Sequence, residues 1–193
     1  MNDLFSSALR NIDDFNRQDP RAWTSDSNCH EPYELTYAIH MSRWLHTLCP
    51  DASEEIQVAA RAMHIGRWLK PRDTYPQGLH GYLQWRESLK QYHADLTADI
   101  LAPLGFDAIR LARIQSLIRK EDLEDPAVQL LEDALCLVFL EHQLPGFMDK
   151  HDEKKVVDIL QKTWAKMSEQ GREAALGINY SDTAAALVHQ AVG

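Results

Sequence analysis

Apolar side chains recur along this chain at intervals of three and four, the repeat of an α-helix with one buried face. Residues 3–17 place Leu4, Phe5, Leu9, Ile12 and Phe15 on one stripe. The polar stretch QDPRAWTSDSNCHEP, 18–32, holds two prolines and reads as a loop, with Trp23 packing on the body or bordering a pocket. Pro32 suits the first turn of a helix over 32–48. Asp51 or Ser53, followed by Glu54 and Glu55, is an N-cap signal for a helix that the pattern carries to about Leu69. KPRDTYPQGLHG, 70–81, is a second loop, its path fixed by prolines and glycines. A long helix over 82–103 stops at Gly105, and another runs from Asp107 to about Lys120. EDLEDP turns the chain into AVQLLEDALCLVFLEHQL, the most apolar segment and the expected central helix. Helices near 150–170 and 181–191 follow, and no strand or repeat is evident. The pattern predicts an all-α, single-domain bundle over 1–193 with about seven to nine helices.

Composition changes this picture little. The 193 residues are 45% hydrophobic and 25% charged, enough apolar material for a sizeable core. The formal net charge of -9 argues against general nucleic-acid binding or an anionic membrane surface. No apolar run reaches membrane-spanning length, and MNDLFSSALRNIDDF lacks the basic and apolar regions of a signal peptide. Cys29, Cys49 and Cys136 are odd in number and form no CxxC, which fits a reducing, cytoplasmic setting with Cys136 buried. GxSxG, the P-loop, GxGxxG and HExxH are all absent.

Candidate chemistry lies on the helices. Arg61, His64 and Arg67 follow one another at intervals of three, a basic row in an acidic chain. With Arg72, Arg86 and Lys120 it suggests a small anionic ligand, a phosphate or carboxylate. The competing reading pairs these cations with glutamates on solvated faces. Tyr75 or Trp85 offers a surface on which a ring can stack, or Trp85 and Tyr82 simply anchor the next helix. Glu132 and Asp133 adjoin in an otherwise apolar helix, where an acid must be paired, hydrogen-bonded or metal-bound. Glu141 lies two turns later, and Glu34 and Tyr37, one turn apart, precede His40 by two turns and one.

The stretch AARAMHIGRW resembles the AALLHDIGK-like stretch of the HD-domain hydrolases, whose His-Asp doublet holds a metal ion. On that resemblance the core spans about 33–145. His40 takes the place of the first ligand, Met63 and His64 stand at the doublet, His93 holds the next histidine position and Asp133 the last aspartate. Gln115 and Ser116 stand where a further histidine pair would be. A thioether does not replace imidazole on a hard ion, so Met63 is read as core packing. The resemblance implies a site of His40, His64 and Asp133 for a divalent transition metal, Mn, Fe, Ni or Zn, with His93 or Glu132 assisting Asp133 in catalysis. Arg61, Arg67, Arg72, Tyr75, Arg86 and Lys120 would then hold the substrate. AARAMHIGRWLKPRDTYP, GYLQWRESLKQYHAD, IQSLIRKEDL, EDALCLVFLEHQL and KTWAKMSEQGREAAL are, more closely, similar to the family of proteins with domain of unknown function 4202. That likeness covers nearly the whole chain and implies an HD-like helical fold more strongly than a chemistry. Two functions are expected from it: a divergent metal-dependent hydrolase of a small phosphorylated or nucleotide substrate, or a binding module that kept the anion pocket and lost catalysis.

Overall fold

Six of the helices begin where a short polar side chain accepts from their free N–H groups. In the computed structural model, which describes residues 4–23 and 31–193, Ser53, Asp107, Asp125, Asp152, Ser168 and Ser181 all do so. The helices are α1 (Leu4–Asn16), α2 (Tyr33–Leu48), α3 (Glu54–Ala62), α4 (Gly78–Leu101), α5 (Ala108–Arg119), α6 (Pro126–Val138), α7 (Leu144–Met148), α8 (Glu153–Trp164), α9 (Glu169–Leu176) and α10 (Asp182–Val192). The fold is all-α apart from an antiparallel ladder of two-residue strands, β1 (Ala22–Trp23) and β2 (Glu31–Pro32), inside the loop expected over 18–32. Cys29 lies outside the described residues.

Ten α-helices are described where seven to nine were expected, and local chemistry explains the excess. The central helix passes through a π turn at Phe139–Gln143 before α7. Pro145 has no N–H to offer the carbonyl of Glu141, so the ordinary ladder cannot continue there. The helix expected over 150–170 is cut in two by Ser168, which caps α9.

Residues 1–43 and 51–123 belong to one compact unit, and residues 44–50 and 124–193 to a second. In the first, α1 packs on α3 and α4, and α3 and α4 pack on α5. Its buried side chains include Ile12, Met41, Val58, Met63, Ile65, Leu101, Ile114 and Leu117. In the second, α6 packs on α9, and α8 on α7 and α10, around Leu131, Leu137, Leu144, Val156 and Leu160. No described helix is long and apolar enough to cross a membrane.

Candidate functional site

The expected helix from Ser53 to Leu69 ends at Ala62, and that early end makes the site. Met63 closes α3 as a buried core residue. The chain then turns through Gly66, which has φ +66°. A side chain there would be strained and would also meet Leu96, 2.8 Å from the Cβ position, with Phe15 and Tyr92 at 3.2 Å. A 3-10 turn, Arg67–Leu69, follows. The row Arg61, His64, Arg67 is therefore not one helical face. Arg61 binds Asp13 of α1 through two hydrogen bonds, Nε to Oδ1 at 2.6 Å and Nη2 to Oδ2 at 2.7 Å, and reaches Ser42. His64 and Arg67 are turned to a different set of neighbours.

Those neighbours come from α2 and the segment before it. Asp19 is buried; it accepts from Arg21 through both carboxylate oxygens and from the backbone N–H of Glu34. This fixes the entry to α2 and aims Arg21 at Glu34, with Nη2 donating to Oε1 at 2.6 Å. Glu34 is only 1% exposed. Its second oxygen, Oε2, is buried with no hydrogen-bond donor among the described residues, and lies 4.0 Å from His64 Nδ1. Burial pushes the Glu34 carboxyl up to about 7, against the opposing pull of Arg21 and Arg67. One turn on, Tyr37 stacks flat on the His64 ring, centroids 4.3 Å apart. His40, a further turn along, packs against Trp23, which also meets Tyr33.

The third wall is α4. His93 is buried, and its Nδ1 lies 2.6 Å from the carbonyl of Ile65. A carbonyl only accepts, so Nδ1 carries the proton and Nε2 presents a lone pair. That Nε2 is buried and has no partner among the described residues. Burial, with Arg67 and Lys70 nearby, lowers His93 to about 3, so the ring is neutral. Its centroid is 5.9 Å from that of His64. Burial also holds His64 well below its usual value, reinforced by the charges of Arg67, Lys120 and Arg86.

Arg67 is half-buried and lies over the Trp85 ring, 4.9 Å from its centroid. Its guanidinium makes no hydrogen bond or ion pair among the described residues. Burial lowers its pKa, while Glu34 and Tyr37 favour its charge. Lys120 ends α5 in the left-handed region, φ 57°, the only described non-glycine residue with positive φ.

Other expected ligand-binding residues are engaged within the chain. Arg72 donates to the carbonyls of Tyr75 and Gly78, and the Tyr75 hydroxyl meets Ser88 at 2.5 Å, so both brace the 70–78 loop. Arg86 is exposed and bonds the Tyr82 hydroxyl. In the second unit Asp133 accepts from Ser168 N at 2.9 Å, Ser168 Oγ at 2.5 Å and Gln129 Nε2 at 3.0 Å. Glu132 lies 3.9 Å from Lys166, and Glu141 accepts from Trp44 Nε1 and faces His142. Among the described residues no three His, Cys, Asp or Glu side chains are gathered as a metal ion would require. Asp19 and Arg21 are the site residues that sequence reasoning did not single out.

The chain belongs to the family described as Domain of unknown function (DUF4202), whose model matches residues 6–188. Comparison with curated proteins and with solved structures gave no match.

Proposed function

We propose that this DUF4202 protein is an HD-like binding module for a small phosphate-bearing anion, held in its first unit against Arg67. The observation that carries this reading is the unspent guanidinium of Arg67, half-buried on Trp85 with no carboxylate in ion-pair reach among the described residues. A buried or half-buried cation is ordinarily paired, and an anion supplies what this one lacks. The charges of Arg86 and Lys120 add to that of Arg67 at His64, in a chain whose net charge is -9. His64 and His93 stay neutral there, so they act as hydrogen-bonding groups rather than further cations. A cytoplasmic setting belongs to the same reading and is supported by the cysteine usage.

A titration with inorganic phosphate, followed by calorimetry and by thermal unfolding, tests it. Saturable binding that raises the unfolding temperature is expected. No heat and no shift at millimolar phosphate contradicts the reading.

The metal-dependent hydrolase is the second reading, favoured by one feature: His93 Nδ1 donates to a carbonyl and leaves Nε2 as a buried lone pair, the orientation of a metal-binding imidazole. The described donors do not complete a three-ligand set. Metal analysis of protein purified without chelator separates the two: a stoichiometric Mn, Fe, Ni or Zn ion lost in His93→Gln supports the hydrolase, and protein without metal after reconstitution supports the module.

A further inference from the structure

Arg67 is not alone in lacking a hydrogen-bond partner among the described residues. Glu34 Oε2 and His93 Nε2 are both buried with no hydrogen-bond partner among the described residues, and His64 stands between them. Buried polar atoms in folded proteins are nearly all satisfied, so two open acceptors beside one open cation are a ligand's missing half. An anion alone satisfies Arg67 and repels Glu34. The ligand must also bring hydrogen-bond donors.

Resting on the anion-binding reading, we infer that the ligand is a phosphate ester of a hydroxylated, sugar-like group, whose phosphate meets Arg67 and whose hydroxyls donate to Glu34 Oε2 and His93 Nε2. Hydroxyls fit better than an ammonium group for an electrostatic reason. The charges of Arg67, Arg86 and Lys120 converge on His64, and Arg21 is already bonded to Glu34. An ammonium would enter that field at a cost, while a neutral hydroxyl would not. His93 Nε2, fixed as an acceptor by the Ile65 carbonyl, accepts from a hydroxyl without changing its protonation.

The site also predicts what a single-atom change does. Arg21 requires an acceptor at Glu34 Oε1, so Glu34→Gln keeps its amide oxygen there and places an NH2 donor where Oε2 was. The ligand hydroxyl must then accept from that NH2, and the stronger charge-assisted bond to a carboxylate is lost.

Calorimetry of the full chain with methyl phosphate, ribose 5-phosphate and phosphoethanolamine tests this. The wild-type protein should bind ribose 5-phosphate about tenfold more tightly than methyl phosphate, the scale of one good buried hydrogen bond. Glu34→Gln, checked for folding by its thermal transition, should narrow the preference for ribose 5-phosphate over methyl phosphate severalfold. Equal wild-type affinity for methyl phosphate and ribose 5-phosphate overturns this inference and leaves the anion site standing. Tighter binding of phosphoethanolamine than of ribose 5-phosphate also overturns it, in favour of an ammonium donor. Failure of all three esters and of inorganic phosphate overturns the anion site itself.

Discussion

Two carboxylates, each 1% exposed and each on a helix, have opposite surroundings. Asp133 in the second unit accepts from three donors, and Ser168 gives it both a backbone N–H and a hydroxyl. Gly171 is packed so close that a Cβ there would lie 2.6 Å from the Asp133 carboxyl group. Glu34 in the first unit has Arg21 on one oxygen and, among the described residues, no donor on the other. Burial is the same, so burial does not separate a fully bonded acid from a half-bonded one. The count of donors does. Asp133 ties α6 to the cap of α9; Glu34 keeps one oxygen open at a cost in stability.

The comparison is broken most severely by removing Asp133. Asp133→Ala leaves the Ser168 N–H without its acceptor, takes one of the two acceptors of the Gln129 amide, and should cost about 3 kcal/mol of unfolding free energy. Urea denaturation measures it, and an unchanged midpoint would show that the network carries no stability.

Glu34→Gln should act with the opposite sign. The folded carboxyl titrates near 7 and the unfolded one near 4.5, so the folded state holds the extra proton between them. Stability from this group is fully present below 4.5 and is lost as pH rises through 7. The amide mimics the protonated acid, so the variant should be more stable than wild type at pH 8, by on the order of 2–3 kcal/mol. The gain should shrink to nothing by pH 4.5. His93, lowered to about 3, works the other way: its contribution is present above 6.5 and is lost as pH falls through 3. Thermal melts of wild type and variant across pH 4–8 decide the matter, and a variant less stable at pH 8 would place Glu34 with Asp133 as a structural acid.

A smaller effect on stability concerns Lys120. Its left-handed backbone is one that glycine adopts freely. Lys120→Gly should raise stability by about 1 kcal/mol and weaken phosphate binding severalfold. A variant that is more stable and binds equally well would remove Lys120 from the site.

Much of this was legible in the sequence. Period and caps gave the all-α class and most boundaries, because one stripe of apolar residues and one short polar cap are local signals. Asp133 was legible as a buried acid, but its donors sit on the α8–α9 connection, far along the chain, and no spacing rule reaches Ser168. His64 and Arg67 were found as part of a helical row that Gly66 interrupts; a glycine reads as a tolerable helix residue until its φ is known. Glu34 had a clearer signal than it was given. The buried stripe of α2, Leu48, Leu45, Met41 and Tyr37, when carried back one more turn, lands on Glu34 and places an acid in the core. Asp19 and Arg21 had almost none, since two charges in a proline-bearing loop read as solvated until the β1–β2 ladder folds them onto α2.

The central claim is that the open polar atoms around His64 are a ligand site and that Arg67 is its anchor. Calorimetric titration of inorganic phosphate into wild-type protein and Arg67→Ala tests it most directly. At least a tenfold loss of affinity is expected in the variant, the scale of a charge-assisted hydrogen bond, with unfolding free energy lowered by no more than about 1 kcal/mol, the scale of the lost cation–π contact with Trp85. Equal affinity in the two proteins, or a variant that binds as before but unfolds far more easily, would contradict it.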